Sequence, residues 1–464
     1  MNWLEQQIKN NPQKSFIQDD MNSYTYMDVF EMVQVYSRYL LQLGIKSHDR
    51  VLIYLSNSIE LVEIILSCFE IGAIVVPVSR YLTKNELHHI LKKINPTIII
   101  TNWEGQESFS NESCLVACIE ELPSSSSGCS VLKNEYEKKS ENVCAIMLTS
   151  GTTSIPKAVQ LTYGNFETSC SNWNSFLEFD LDDQFLCCLP LNHIGGLAVL
   201  IRALIYGFSV NLLSNFDAST VNKVISRHPI SIISLVPTML KRILAIEGGL
   251  ESLKSLRHIL LGGGPSPEVL LDYCIQEKLP IIKVYGMTET CSGTFGLKVL
   301  DEPQNKLFAG RPFPETKAWI KNGEIHISGP MIMAGYLGED EAQGVHNSHD
   351  LGYVGDDHLI FLNVRRKDLI VSGGENINPI EVEEQLLNVN GIMDSAVIGK
   401  NDEEWGQKVI AYIVCESDSI NGEYLDEKLK KSLSKFKIPK EYVRVPLIPR
   451  NELGKIVYEK LKLL

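Results

Sequence analysis

The sequence has few of the features that mark membrane, secreted or zinc-binding proteins. Its eleven cysteines include no Cys-x-x-Cys pair, which disfavours a zinc knuckle and a disulfide framework and predicts reduced thiols. No basic segment followed by an apolar run opens the chain, so we expect no signal peptide. The most apolar stretch, residues 61–78, contains Glu63, Glu70, Gly72 and Pro77. It therefore predicts helix, turn and strand rather than a membrane span, and we expect a cytoplasmic protein with no membrane partner.

An excess of positive charge is also missing. The formal net charge is −14, whereas nucleic acids and anionic membranes attract proteins with a broad basic field. We therefore expect no nucleic-acid partner, and a nucleotide ligand would need a local cluster of donors. Hydrophobic residues make up 44% and charged residues 22% of the 464 positions, which is typical of a soluble globular protein of roughly two to four packed units.

Helical and strand patterns alternate along most of the chain, which predicts parallel sheets wrapped by helices. In the first 120 residues we predict helices at 26–43, 61–71 and 86–94, and strands at 50–55, 73–78 and 97–101. The alternation resumes over residues 142–300, and short strands at 317–320 and 324–328 then predict a small β-rich unit. Strands at 394–399 and 408–416 and helices at 379–389 and 423–434 predict an α+β domain. The expected fold is thus α/β and α+β, with domains at 1–363 and 364–464.

A run of hydroxyl side chains around one glycine follows an apolar strand. Its phosphate-binding candidates are Thr149, Ser150, Gly151, Thr152, Thr153 and Lys157. Backbone N–H groups and hydroxyls suit the oxygens of a polyphosphate, and the lysine neutralises charge. A solvated turn is the alternative for the central tripeptide alone. The segment is not a Walker A loop, because it lacks GxxxxGK[ST].

The whole segment resembles the phosphate loop of the acyl-adenylate-forming superfamily, which includes acyl-CoA synthetases, luciferases and adenylation domains of peptide synthetases. Relatives have glycine at the positions of Ser154 and Ala158, so this loop has less backbone freedom. The resemblance implies ATP, Mg²⁺ and coenzyme A as ligands. It also implies a small mobile C-terminal domain that rotates between two half-reactions.

Further motifs follow in the order of that superfamily. By resemblance, Tyr285 lies against the adenine, Thr288 meets the α-phosphate and Glu289 holds Mg²⁺. An aromatic face suits a base and a carboxylate suits a hard cation. Gly263 and Gly264 belong to a turn that lets the backbone approach the adenine and the acyl group, although a glycine turn alone is more often structural.

The C-terminal part carries the remaining implied positions. Asp350 and Arg365 correspond to the two ribose contacts, although isolated charges of this kind usually lie at the surface. Lys367 corresponds to the hinge, and Gly373 and Gly374 to the loop that lines the pantetheine tunnel.

Residues 449–455 resemble the terminal motif that delivers the adenylation lysine. Lys455 would stabilise negative charge on the substrate carboxylate and the α-phosphate. A lysine this close to the end of a chain is otherwise a solvated charge.

Two residues suggest the nature of the acid. His193 lies where the superfamily uses an aromatic residue or histidine to gate the acyl site, although a lone histidine is more often structural. Arg202 falls in an apolar helical segment and either emerges at the surface or binds a second carboxylate of the substrate, since an unpaired buried guanidinium is costly.

Residues 189–207, 236–240, 261–265 and 285–292 are similar to those of the o-succinylbenzoate–CoA ligase family of menaquinone biosynthesis, whose substrate is a dicarboxylate. The expected partners are a small carboxylic acid, ATP and CoA. The sequence leaves open whether the protein forms a homo-oligomer. The alternatives are a synthetase for a monocarboxylate, an enzyme that loads a carrier protein, and a degenerate nucleotide-binding relative without activity.

Overall fold

The computed structural model describes residues 3–19, 21–82, 84–110, 114–123, 136–149, 156–365, 369–372, 375–402, 405–417, 420–452 and 454–461. The helices are α1 Trp3–Asn10, α2 Tyr26–Gln42, α3 Ile59–Ile71, α4 Lys84–Ile94, α5 Trp103–Gln106, α6 Tyr163–Leu177, α7 Ile194–Tyr206, α8 Ala218–Arg227, α9 Pro237–Leu244, α10 Gly249–Lys254, α11 Glu268–Gln276, α12 Pro379–Leu387, α13 Gly422–Leu429 and α14 Tyr458–Leu461.

The strands of the first half of the chain are β1 Ser15–Gln18, β2 Ser23–Thr25, β3 Arg50–Tyr54, β4 Ile74–Pro77, β5 Ile98–Thr101, β6 Leu115–Cys118, β7 Val143–Thr149, β8 Lys157–Thr162, β9 Gln184–Cys187, β10 Ser209–Leu212 and β11 Ile232–Leu235. Those of the second half are β12 His258–Leu261, β13 Ile281–Met287, β14 Ser292–Lys298, β15 Arg311–Pro312, β16 Lys317–Lys321, β17 Glu324–Ser328, β18 Gly335–Tyr336, β19 Val345–Val354, β20 Ile360–Arg365, β21 Ile370–Ser372, β22 Glu375–Ile377, β23 Ile392–Asp402, β24 Gly406–Cys415 and β25 Glu441–Arg444.

The first sheet has seven strands in the order β18-β8-β7-β4-β3-β5-β6. Its strands β4, β3 and β5 pair in parallel, and α3 joins β3 to β4. Ser58 caps the start of α3 through the amide of Leu61, and Gly72, with φ of 77°, ends it. The predicted helix, turn and strand are thus confirmed. None of the described helices combines the length and the apolar character needed to cross a bilayer.

The second sheet has nine strands in the order β15-β14-β13-β12-β11-β9-β10-β1-β2. Strands β9, β11, β12 and β13 run in parallel, so their carboxyl ends lie at one edge. Ligands of such sheets bind at that edge. The predicted acyl segment and the glycine turn follow two of these strand ends, and Tyr285 lies in the last three residues of β13, which explains how segments far apart in sequence meet at one edge of the sheet.

Two smaller sheets complete the fold. Strands β16, β17, β19 and β20 form the β-rich unit predicted after Gly310, and β22, β21, β24 and β23, with β25, form the C-terminal sheet. The C-terminal sheet packs with α12 and α13 around its own apolar core. The expected α/β and α+β classes are therefore confirmed. The domain boundary predicted at 363/364 falls within β20 and stays a prediction.

One predicted helix is shorter than expected. The pattern over 423–434 predicted a helix to residue 434, but α13 ends at Leu429. The amides of Lys431 and Ser432 bond to carbonyls only three residues back, and the chain tightens into a turn. Leu433 is thereby buried, so burial of that side chain rather than helix propensity decides where the helix ends.

The C-terminal unit, formed by β21 to β25 with α12 to α14, contacts the large unit, formed by the elements before it. The contact lies close to the predicted adenylation lysine. Ser79 donates a hydrogen bond to the carboxylate of Glu452. A Cβ atom at Gly454 would lie 2.3 Å from Oγ1 of Thr238 and 3.0 Å from the side chain of Val236. The turn that carries Lys455 therefore sits directly on the start of α9, and only glycine allows this approach.

Candidate active site

The hydroxyl-rich segment joins two antiparallel strands of the first sheet. Thr149 at the end of β7 pairs with Lys157 at the start of β8. Ser150, Gly151, Thr152 and Thr153 lie outside the described residues. The Nζ atom of Lys157 lies 4.2 Å from the ring centroid of Tyr336, in a cation–π contact. The lysine is thus held beside the loop that it was predicted to serve.

Tyr336 connects the predicted phosphate site to the predicted metal ligand. Its hydroxyl donates a hydrogen bond of 2.9 Å to Oε1 of Glu289, while its ring carries Lys157. Strand β18 brings Tyr336 to this place by pairing with β8. Sequence reasoning missed this tyrosine, because no local pattern marks the pairing of a two-residue strand with a distant one.

The surroundings of Glu289 fit a magnesium ion that is shared with a nucleotide. Among the described residues no three His, Cys, Asp or Glu side chains converge on one point. Mg²⁺ at phosphate-transfer sites is usually bound by one or two carboxylates together with substrate phosphates and water. The half-buried carboxylate of Glu289, linked through Tyr336 to Lys157, fits this pattern, and its role as a metal ligand stays a prediction.

The predicted adenine and ribose contacts lie side by side. The hydroxyl of Tyr285 donates a hydrogen bond of 2.7 Å to Oδ2 of Asp350. Its ring stacks on Phe295 with a centroid separation of 5.3 Å. Asp350 is also the backbone partner of Arg365 between β19 and β20, so the strand register brings the two predicted ribose contacts together.

Several predicted positions cannot be placed in the site. The side chain of Arg365 lies outside the described residues, as do Lys367, Gly373 and Gly374. Their predicted roles as ribose contact, hinge and tunnel lining therefore stay predictions.

The glycine turn after β12 has the geometry expected of a close backbone approach. Gly263 adopts a φ of 78°, a conformation that favours glycine. A Cβ atom at Gly262 would lie 2.5 Å from the side chain of Val284. Around Gly264 a Cβ atom would meet nothing within 4 Å. The turn thus packs tightly on β13 on one side and leaves open space on the other.

His193 and Lys455 are 262 residues apart in the sequence but interact electrostatically in the structure. His193 precedes α7, and its amide donates to the carbonyl of Pro190 at 3.1 Å. Burial, and secondarily the nearby charge of Lys455, lowers the pKa of His193 to about 4. The imidazole is therefore neutral at pH 7, and this favours substrate contact or gating over acid–base catalysis.

Arg202 lies inside the protein, with only 2% of its surface exposed. The alternative that this side chain emerges at the surface is therefore wrong. Its Nη2 atom donates a hydrogen bond of 2.7 Å to Oγ of Ser292, and its guanidinium carbon lies 4.4 Å from the ring centroid of Trp173. Its Nε–H is buried without a partner among the described residues.

The charge of Arg202 is not neutralised by its protein neighbours. Burial raises the pKa of the Cys170 thiol to about 12 and that of Cys291 well above its usual value, so both neighbours are uncharged. Burial also lowers the pKa of Arg202 to about 10, which leaves it protonated at pH 7. Within the described part of the chain no carboxylate forms an ion pair with it. A buried cation in this state strongly favours an anionic ligand.

An unusual backbone turn places Ser292 opposite Arg202. Cys291 and Ser292 have φ values of 50° and 94°, which non-glycine residues rarely adopt and which concentrate at functional sites. The turn follows directly after Thr288 and Glu289. Sequence reasoning missed Ser292 and Trp173, and a consecutive pair of left-handed residues has no composition signal that could have revealed it.

The matches to known families cover most of the chain. The family described as AMP-binding enzyme matches residues 4–337, and the AMP-binding enzyme C-terminal domain matches residues 381–455. The 2-succinylbenzoate–CoA ligase of Oceanobacillus iheyensis is 34% identical, over 99% of this chain and 98% of that protein.

Solved structures of o-succinylbenzoate CoA synthetase from Bacillus subtilis, 30% identical in sequence, are similar over nearly the whole chain. The complex with the acyl-adenylate intermediate OSB-AMP gives a TM-score of 0.91 over 99% of this chain and 98% of that one. The complex with ATP and magnesium ion gives 0.90 over 99% of each chain. A double mutant bound with the product analogue OSB-NCoA gives 0.75, over 100% of this chain and 98% of that one.

The described arrangement thus resembles the adenylate and ATP complexes more than the complex with the product analogue. This agrees with the contact of the Lys455 turn with α9 and with the proximity of Lys455 to His193. The extent of the family matches and the identity to curated ligases lead to one conclusion: the chain belongs to the AMP-binding enzyme family.

Proposed function

We propose that this protein activates o-succinylbenzoate with ATP and transfers the acyl group to coenzyme A, as a step of menaquinone biosynthesis. The observation that carries the proposal is the buried guanidinium of Arg202, which has an unpaired N–H and no described carboxylate partner. A dicarboxylate supplies the missing anion, whereas a monocarboxylate uses its only carboxylate in the reaction. The similarity to curated ligases for this acid supports the proposal.

Two groups of the candidate site lie at different points along α7. His193 precedes the first turn of the helix, and Arg202 lies nine residues further along the chain. At 1.5 Å per residue this is about 13 Å along the helix axis. We propose that the carboxylate to be activated lies near His193 and Lys455, and that the second one binds Arg202 and Ser292.

The first half-reaction joins the acid to AMP. A carboxylate oxygen of the substrate attacks the α-phosphorus of ATP, and pyrophosphate leaves. Lys455 stabilises the negative charge that is shared between the carboxylate and the α-phosphate, and Thr288 contacts that phosphate. Thr149, Lys157 and the loop between them hold the departing pyrophosphate. Glu289 would hold a magnesium ion at this place, and the ion would further neutralise the phosphate charge.

The second half-reaction transfers the acyl group to the thiol of coenzyme A. The sulfur attacks the acyl carbon, a thioester bond forms and AMP leaves with the electron pair of the broken acyl–oxygen bond. The thiol and Lys455 need the same face of the adenylate, so the C-terminal unit must rotate between the steps. We assign the rotation to Lys367 and the lining of the pantetheine path to Gly373 and Gly374.

The reduced thiols and the negative net charge of the protein favour the cytoplasm as the location of the protein.

The first experiment measures pyrophosphate release with ATP, Mg²⁺ and CoA against a panel of acids that includes o-succinylbenzoate and benzoate. We expect a strong preference for o-succinylbenzoate. Preference for a monocarboxylate would refute the proposed substrate and leave the AMP-forming chemistry intact. Transfer to a carrier protein in place of CoA would support the carrier-loading alternative.

The variant Arg202→Leu directly tests the observation on which the proposal rests, the buried guanidinium of Arg202. We expect it to lose activity with o-succinylbenzoate while it still makes adenylate from simple benzoates. Arg227→Leu, on the exposed face of α8, is the matched control and should leave both activities unchanged. An equal loss of both activities in Arg202→Leu would mean that the residue has only a structural role.

A further inference from the structure

The turn that carries Lys455 is closed by hydrogen bonds that all involve Asn451. The amide of Lys455 donates to Oδ1 of Asn451 at 2.9 Å, and the amide of Asn451 donates to the carbonyl of Lys455 at 2.8 Å. The amide of Gly454 also donates to the carbonyl of Asn451 at 2.8 Å. The backbone of the lysine is therefore fixed relative to residues 450 and 451.

Arg450 links this turn to the C-terminal sheet. Its Nη1 atom donates a hydrogen bond of 2.9 Å to the carbonyl of Gly454, the residue before Lys455. Its Nη2 atom donates to both carboxylate oxygens of Asp394 at 2.8 and 3.0 Å, and Nε donates to Oδ2 at 3.3 Å. Several charge-assisted bonds to one carboxylate fix the orientation of the guanidinium, which a single bond does not.

Asp394 is a firm anchor for the arginine. It lies in β23, and its backbone partner is Val414 of the central strand β24. The pair is partly shielded, because the side chains of Arg450 and Asp394 are 19% and 32% exposed. Both residues belong to the same C-terminal unit as Lys455, so a rotation of the whole unit leaves the anchor intact.

We propose that Asp394 is a positioning residue for adenylation, which acts through Arg450 and the Gly454 carbonyl to direct Lys455 at the reacting carboxylate. The inference rests on the role assigned to Lys455 in the proposed function. It predicts that Asp394 serves only the first half-reaction, because Lys455 leaves the adenylate before the thiol attacks. A displacement of about 1 Å at a reacting group costs on the order of 100-fold in rate, so a loosened turn has a measurable effect.

The test measures the two half-reactions separately in the full-length enzyme. Adenylation is followed by acid-dependent ATP–pyrophosphate exchange, and thioester formation by the reaction of synthetic o-succinylbenzoyl-adenylate with CoA. For Asp394→Ala we expect exchange to fall by about 10- to 100-fold, in kcat and not in KM for ATP, with thioester formation unchanged. Asp394→Asn keeps one acceptor oxygen, and its pyrophosphate exchange should fall by less. This variant therefore provides the test if the alanine variant folds poorly.

Two further variants separate the possible outcomes. Glu441→Ala removes another ion pair of the same unit, with Lys408 at 2.7 Å, and should change neither half-reaction. Lys455→Ala provides the reference. If Lys455→Ala retains exchange, the proposed role of the lysine fails; if it loses exchange while both Asp394 variants retain it, only the positioning role fails. An equal loss of both half-reactions in Asp394→Asn would also overturn the inference, since that pattern indicates a structural role.

Discussion

The two sides of the candidate site are built in different ways. On the side of the large unit, the groups that we propose to bind the substrate are held by packing, as with Arg202 between Trp173 and Ser292. On the side of the small unit, Lys455 is exposed, and its turn is held by one hydrogen bond from the Lys455 amide to Asn451 and another from Arg450 to the carbonyl of Gly454. The difference fits the roles that we propose for the two sides. A substrate-binding group keeps its place through the whole cycle, whereas the adenylation lysine must be delivered and withdrawn.

The energetic consequences of the two designs also differ. Burying a charge without a partner costs several kcal/mol in effective terms, so we expect the Arg202 site to lower the stability of the protein. Polar contacts on a partly exposed turn contribute about 1 kcal/mol each. We therefore expect substitutions on the substrate side to change stability and specificity together, and those on the lysine side to change the rate of adenylation with a smaller effect on stability.

The largest effect is expected for Lys455→Ala. Removal of a group that stabilises charge in the transition state should lower adenylation by about 100- to 1,000-fold. Because Lys455 lies on a peripheral turn, the melting temperature should stay close to that of the wild type. Pyrophosphate exchange and thermal unfolding measure the two quantities. Detection of accumulated acyl-adenylate in this variant, supplied with acid and ATP, would contradict the assigned role.

Glu63 offers a buried ionisable group outside the site for comparison with Arg202. Burial, and secondarily Glu60, raises the pKa of Glu63 to about 8, and none of the described cations forms an ion pair with it. A raised folded-state pKa confers stability that is complete below the unfolded value and is lost as the pH rises through the folded value. Glu63→Gln removes this pH dependence. The free energy of unfolding of the variant, relative to that of the wild type, should therefore increase as the pH rises from 4.5 to 8.

We expect the gain in the free energy of unfolding to reach about 1–3 kcal/mol at pH 8, with unchanged acid specificity. Urea unfolding at pH 5 and pH 8 is the measurement. A stability difference between variant and wild type that does not vary with pH would contradict the assignment.

The variant Arg202→Met tests whether the unpaired cation lowers stability. Replacement of a buried charge by an apolar side chain of similar length is often neutral or stabilising, and we expect a gain of about 1 kcal/mol together with the loss of o-succinylbenzoate activity. The cation–π contact with Trp173 opposes the gain. Urea unfolding and the acid panel measure both effects. A loss of more than about 1 kcal/mol would mean that Arg202 stabilises the fold.

The smallest effect is expected at His349, next to the predicted ribose ligand Asp350. His349 has a φ of 58°, and its side chain is 66% exposed and lies 3.7 Å from Glu324. Glycine relieves a left-handed backbone that costs other residues about 1 kcal/mol, although it also raises the entropy of the unfolded chain. We expect the free energy of unfolding of His349→Gly, measured with urea, to exceed that of the wild type by less than about 1 kcal/mol. The KM for ATP should be unchanged. A raised KM would assign the histidine to nucleotide binding.

Local motifs were the part of the site most readily predicted. A strand followed by a hydroxyl-rich or glycine-rich turn is a contiguous pattern, so the ends of β7, β12 and β13 were predicted with their candidate residues. Local patterns were less reliable where a tertiary contact competes, as at the end of α13, where burial of Leu433 shortens the helix. The roles of Ser150, Lys367 and Gly373 stay predictions, because they lie outside the described residues.

The sequence by itself determined the order of the chemical groups, the class of reaction that they indicate and the alternation of elements that specifies the fold. Only the tertiary structure decided how those groups are supported. Tyr336 meets Glu289 across 47 residues, Arg450 meets Asp394 across 56, and Arg202 meets Ser292 across 90. Local periodicity reports which face of an element is buried, but these contacts depend on which elements become neighbours. That choice is made by the packing of the sheets as a whole.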